Sequence, residues 1–238
     1  MEQQVLGLLQ ATTVPDTATI KHAEHSLKDL HQQQEYPFAL LRIAGHADAD
    51  PGSRKAALTA LRNYVNATWS LTFEEASSQP VQLSAEAKSQ LRAQILAICT
   101  SSDQSNDINQ NLAATIVSKI ASADFPDEWP ELFPNLVKVL DTTSSDAAVT
   151  GALRVLYELV DSGLSDEQFF GVARELVGCL QHVATTGDHG HVVQAMSLRV
   201  FGACFENLEQ VLQTEHAPAV KAFLSESMQT WMAYFLST

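Results

Sequence analysis

Asp124-Phe125-Pro126-Asp127-Glu128-Trp129-Pro130-Glu131-Leu132-Phe133-Pro134 places three prolines and three aromatics in eleven residues, between two segments of strong helical periodicity. Each X-Pro step turns the preceding residue away from the helical region and each proline lacks a donor, so the helix before this stretch must end near Asp124. A second helix is expected almost at once. Proline is accepted in a first helical turn, the acids suit the positive end of the helix dipole, and Trp129, Phe133, Leu136 and Leu140 recur at helical spacing. The stretch reads as a tight corner between packed helices, with Trp129 turned inward.

Helical periodicity continues on both sides. Before the corner, Val5, Leu8 and Leu9 make a short helix ended by Pro15, and Asp16 or Thr17 can cap a longer one along Ile20, Ala23, Leu27 and Leu30. Tyr36-Pro37 opens a third, ended by Asp48-Ala49-Asp50-Pro51-Gly52. The fourth, Ser53 to Trp69, carries Ala57, Leu61, Tyr64 and Val65 on one stripe. Residues 70–83 lose periodicity and read as a surface loop, the best place for a mobile insert. Ser84 restarts helix along Leu91, Ile95 and Ile98; after a polar run from Thr100 to Asn106, Ile108, Leu112, Ile116 and Ile120 form the next.

After the corner, a turn from Asp141 to Asp146 leads into Ala148, Ala152, Val155 and Leu159, closed by Gly163. Ser165 caps a run with Phe169, Ala173, Leu176 and Leu180 inward. Beyond Thr186-Gly187-Asp188, a further helix turns Val193, Met196, Val200 and Cys204 inward, and a last one starts near Pro218. No stretch alternates with period two, so the chain is expected to be all-α.

Helix pairs start near 1, 36, 84, 125 and 165, with a lone helix near 218. Repeats of ~40–47 residues are those of HEAT hairpins, so the expected fold is a HEAT-repeat solenoid: a right-handed superhelix of stacked antiparallel pairs, about five and a half repeats. A solenoid needs polar caps, so a chain closing on Trp231-Met232-Ala233-Tyr234-Phe235-Leu236 reads as the N-terminal part of something longer.

The 238 residues carry a net charge of −14, with 8 Lys+Arg against 10 Asp+Glu in residues 1–100 and 6 against 18 in residues 101–238. An acidic surface repels phosphate backbones and attracts basic proteins, so no direct nucleic-acid contact is expected. Cys99, Cys179 and Cys204 lie far apart in apolar runs, which fits a reducing compartment rather than a disulfide framework or zinc ribbon. Without a signal peptide or an apolar run of ~18 residues, a soluble intracellular protein without membrane contact is expected.

Nothing points to catalysis. There is no glycine-rich phosphate loop, G-x-S-x-G or thiol-enzyme signature. His22 and His25 share a helix and His189-Gly190-His191 sits in a turn, but no carboxylate or thiolate is spaced to complete a metal site, so these read as surface imidazoles. No enzyme activity, metal or cofactor is implied.

Two motifs carry a family resemblance. Ser53-Arg54-Lys55-Ala56-Ala57-Leu58-Thr59-Ala60-Leu61-Arg62-Asn63-Tyr64-Val65, followed by Trp69, resembles the R-x-x-A-x-x-x-L-[KR]-N-x-[VI]-x-x-x-W helix of the importin-β N-terminal domain. Asp124-Phe125-Pro126 with Trp129-Pro130 and Leu132 resembles that family's D-[FWY]-P-x-x-W-P-x-L corner, and Glu24, Leu27 and Leu30 its early E-x-x-L-x-x-L element. Trp69-Ser70, Tyr157-Glu158 and Asp166-Glu167-Gln168-Phe169-Phe170 are similar to the importin-nine branch. The resemblance covers residues 1–160, with 161–238 continuing the solenoid.

It implies a karyopherin shuttling between cytoplasm and nucleus, passing nucleoporins as the full-length receptor, whose inner helices bind the GTPase Ran in its GTP form. Mapped here, those helices are residues 16–34, 53–69, 106–123 and 144–162. Helical geometry leaves Lys21, Glu24 and Lys28 off the core stripe of the first, and Lys55, Arg62, Asn63 and Asn66 off that of the second. These seven are the Ran-binding candidates, with ordinary helix solvation as the alternative. Arg54 instead suits packing between repeats. Asp146, Glu158 and Asp161 are candidates for basic cargo such as histones or ribosomal proteins, against plain surface charge. Competing functions are a HEAT scaffold or histone-type chaperone without GTPase control, and an exportin.

Overall fold

In a computed structural model the described residues are 1–78, 83–102, 107–141, 144–186, 188–212 and 217–237. Parts of the expected loops (79–82 of the 70–83 stretch, 103–106 of the polar run, 142–143 and Gly187) lie outside them. Among the described residues there are eleven α-helices and no strand. They are α1 (Glu2–Ala11), α2 (Thr17–Asp29), α3 (Tyr36–Gly45), α4 (Pro51–Thr68), α5 (Ala85–Cys99), α6 (Asp107–Asp124), α7 (Leu132–Asp141), α8 (Asp146–Glu158), α9 (Asp166–Thr185), α10 (His191–Val211) and α11 (Ala217–Ser237). No helix is long and apolar enough to cross a membrane among these residues.

Local chemistry explains the starts. Asp16 accepts from the Thr19 N–H at 2.9 Å and Asp50 from the Ser53 N–H at 2.9 Å, so both act as N-caps; Ser84 and Ser145 do the same for α5 and α8. Pro37 and Pro51 sit in first turns, where a missing donor costs nothing. Ser165 and Gln168 form a reciprocal capping box at α9.

Two compact units divide the chain, Met1–Ala123 and Asp124–Thr238. In the first, α1 packs on α2, α3 and α4, and α3 on α4 and α5. Val5, Leu9, Leu40, Leu58, Leu61, Tyr64, Leu91 and Ile95 are fully buried between them. Arg54 is buried too, its Nε donating to the Ala44 carbonyl at 3.1 Å. It thus satisfies an orphan carbonyl in the C-terminal turn of α3, a packing bond within one helix pair where packing between repeats was expected.

In the second unit α7 packs on α8 and α9, α10 on α8 and α9, and α11 on α9 and α10. The corner residues open this unit. Asp124 C=O accepts from both the Glu128 and Trp129 N–H groups, at 2.7 and 2.9 Å, and Trp129 is buried at 4% exposure. Phe125 packs on Phe133 with ring centroids 5.4 Å apart, and the Gln168 side chain donates to the Phe125 carbonyl. The corner is therefore sewn to the start of α9. Helix resumes at Leu132, later than the apolar spacing suggests, because residues 125–131 are spent on the turn that Pro126 and Pro130 enforce.

Two further details depart from expectation. Leu159–Gly163, which ends at the expected glycine, winds as a π-turn rather than as a continuation of α8, and the Asn207 side chain donates to the Val160 carbonyl from α10 at 2.5 Å. Residues 70–78 are also docked rather than loose. Phe73 is buried, Lys119 Nζ lies 4.2 Å from its ring centroid, and the Ser77 N–H donates to Ala67 C=O at 2.8 Å.

Candidate partner-binding face

Helices α2 and α4 of the first unit border a shared cleft and turn polar residues outward beside it. Along α2, Ala23 and Leu27 are buried while Lys21, Glu24 and Lys28 are exposed; along α4, Leu61, Tyr64 and Val65 are buried while Lys55, Arg62 and Asn63 are exposed and Asn66 is half-buried. None of the seven candidate side chains makes a hydrogen bond or ion pair to another described residue. Side chains held at one face with nothing of their own to bind are free to meet a partner.

Two clefts organise them. The first, about 290 Å³, is lined by Glu24, Leu27, Lys28 and His31 from the α2 side and Ala60, Asn63 and Ala67 from α4, with Tyr36 at its floor. The small Ala60 and Ala67 leave the opening. The second, about 440 Å³, is lined by Arg62, Asn63, Asn66 and Glu75. Asn63 is thus a ridge shared by both. Lys21 and Lys55 lie on the same helices but line neither cleft.

Sequence periodicity did not single out His31, Tyr36 or Glu75. The His31 ring lies tilted 5.5 Å from Tyr36 and edge-on 5.4 Å from Tyr64, and the two tyrosine rings meet edge-on at 5.8 Å. Burial pushes the His31 pKa down and Lys28 adds to the shift. Burial likewise pushes the Tyr36 phenol up, with Tyr64 a lesser cause. The Tyr36 hydroxyl has no hydrogen-bond partner among the described residues. Tyr36→Phe is therefore expected to raise stability by about 1 kcal/mol, read as a higher urea midpoint; a lower midpoint would show that the hydroxyl is satisfied.

The cargo candidates do not form one site. Asp146 accepts from His189 Nδ1 at 2.9 Å and from the Gly190 N–H at 3.1 Å, joining the start of α8 to the turn before α10. The His189 bond, then the Gly190 N–H, lowers its pKa. A Cβ at Gly190 would come to 2.9 Å from the same carboxylate, so a larger residue there would have to shift the Asp146 side chain. His189 is thus nearly buried and carboxylate-paired, contrary to its reading as a surface imidazole, because the partner lies 43 residues away. Glu158 is half-buried, its pKa raised by desolvation and then by Asp161, with Arg199 opposing. Asp161 is exposed. Among the described residues no group of three or more His, Cys, Asp or Glu could hold a metal ion.

The importin-beta N-terminal domain matches residues 23–101, spanning most of α2 through α5. Importin subunit beta-5 of Schizosaccharomyces pombe is 31% identical over 238 residues, covering 99% of this chain and 23% of that protein. The chain belongs to the importin-β family. Its family match contains Glu24, Lys28, Lys55, Arg62, Asn63 and Asn66 and leaves Lys21 just outside.

Exportin-2 of Drosophila melanogaster is 24% identical over 246 residues, covering 98% of this chain and 24% of its own. Yeast importin-beta, Kap95p, superposes with a TM-score of 0.73 at 16% identity over 95% of this chain and 26% of Kap95p. That likeness gives the chain the all-α HEAT-repeat fold of the karyopherins. Kap95p has also been solved in binding RanGDP, whose switch loops then adopt the GTP-bound conformation (TM-score 0.70, 16% identity, 95% of this chain and 25% of that one). A Kap95:Nup1 complex aligns with a TM-score of 0.68 at 16% identity over all of this chain and 30% of that one. This importin-β family chain spans about a quarter of the length of the curated relatives it matches.

Proposed function

We propose that this chain is the Ran-binding N-terminal portion of a nuclear import receptor, with GTP-loaded Ran docking on the α2/α4 face. The observation that carries the reading is the set of seven polar side chains on that face, unpaired among the described residues, five of which (Glu24, Lys28, Arg62, Asn63 and Asn66) line two adjacent clefts. Ran and Nup1 are partners of Kap95p by the solved complexes; both are carried to this chain as proposals. The role is non-catalytic, with the receptor shuttling between cytoplasm and nucleus. The closer kinship to importin-nine rests on Trp69-Ser70 and on the 157–170 motifs.

Basic cargo such as histones or ribosomal proteins suits the net charge of −14. Asp161 and Glu158 remain its contact candidates, and Asp146 is the weaker one because its carboxylate already holds His189 and Gly190. The 24% identity to exportin-2 supports a second reading, an exportin. The two differ in linkage: an importin loses cargo as Ran-GTP binds, whereas an exportin holds both together.

Titration of the chain with Ran in each nucleotide state tests the first reading. Because Kap95p also takes RanGDP, discrimination is read as a difference in affinity. GTP-loaded Ran is expected to bind at least roughly tenfold tighter, a gap of about 1.4 kcal/mol. Equal affinity, or none, would leave a nucleotide-blind HEAT scaffold or chaperone.

A further inference from the structure

The connection after α4 supplies, among the described residues, the one acid lining the cleft beside Arg62. Its course is set by two anchors, Phe73 under Lys119 and the Ser77 N–H on Ala67 C=O. Lys88 clamps the beginning, donating to Trp69 C=O at 3.1 Å with its ammonium 4.8 Å from the centroid of that indole. Between the anchors, Glu75 is placed where Arg62, Asn63 and Asn66 converge. It bonds to none of them, and Arg62 has no other ion-pair partner among the described residues.

The charge of this face opposes that of the chain. In a protein of net charge −14, helices α2 and α4 carry Lys21, Lys28, Arg54, Lys55 and Arg62 against Glu24 and Asp29, with Glu75 beside them. A guanidinium flanked by two carboxamides is rich in donors, and its planar fork matches a carboxylate. We propose that the Arg62–Asn63–Asn66 cleft receives an acidic side chain of the docked GTPase, and that Glu75 attenuates docking by repelling that incoming carboxylate. The proposal rests on the reading of this face as the Ran-binding surface. Glu75 is exposed and unbonded, so its charge can be removed without loosening the loop, which is held by Phe73 and Ser77.

The test compares affinities of GTP-loaded Ran for the unaltered chain, Glu75→Gln, Glu74→Gln, Arg62→Gln and the Arg62→Gln/Glu75→Gln pair. Removing one exposed like charge is expected to tighten binding about threefold in Glu75→Gln, with the gain shrinking as salt is raised. Glu74, exposed but outside the cleft, should give no gain, and the effect of Glu75→Gln should disappear when Arg62 is already neutral. Unchanged or weaker binding by Glu75→Gln, an equal gain from Glu74→Gln, or a gain that survives Arg62→Gln would overturn the proposal. If the unaltered chain does not bind GTP-loaded Ran, the reading of the face falls, and the proposal with it.

Discussion

Replacing Trp129 by alanine is expected to cost about 3–5 kcal/mol of stability and to lower the thermal midpoint by roughly 10 °C, measured by loss of helical circular dichroism. The size comes from burial and from the inability of the site to collapse. Trp129 is 4% exposed, and Pro126 and Pro130 on either side restrict the backbone movement that would fill the hole. Its main chain is equally committed, donating to Asp124 C=O and accepting from the Leu132 N–H at 3.3 Å. Trp129→Phe should recover part of the loss by refilling the space. Ran binding should fall only with the folded fraction; a stable variant without binding would move Trp129 from the frame to the contact surface.

The second large effect concerns the face itself. Arg62→Glu with Asn63→Ala is expected to weaken GTP-loaded Ran binding by roughly a hundredfold, since it reverses the charge of one cleft and removes the ridge common to both. Helical content should not change. The Arg62 and Asn63 side chains are exposed and make no bond to other described residues, so the folded chain loses no contact with them. Weakened binding together with lost helicity would show the pair to be structural. Normal binding by a well-folded double variant would remove this part of α4 from the interface.

The helices were legible because their punctuation is local. Asp16, Ser84 and Ser165 cap where their positions suggest, and Pro37 and Pro51 open helices as a first-turn proline can. The exposed edge of α4 was legible for the same reason: once Leu61, Tyr64 and Val65 define the inward stripe, Arg62 and Asn63 must face away. What escaped depends on residues distant in sequence. Residues 70–78 look loose because their anchors are Lys119, far along the chain, and a carbonyl on α4. Without those anchors Glu75 could not be placed beside Arg62. His189 needed Asp146, and neither residue carries a periodic or spacing signal that announces the other. The corner was read as an immediate helix start because apolar spacing runs through Trp129, whereas backbone bonding delays the helix to Leu132.

The division between Ala123 and Asp124 bears on how the gene should be cut. The eleven-residue corner belongs wholly to the downstream unit: Phe125 lies on Phe133, its carbonyl is held by Gln168, and Trp129 leads into α7. A downstream piece begun at the visible helix, Leu132, would discard an indole and a phenylalanine from its own interior and leave the Gln168 amide without its acceptor. The natural scissors mark is eight residues earlier, ahead of Asp124.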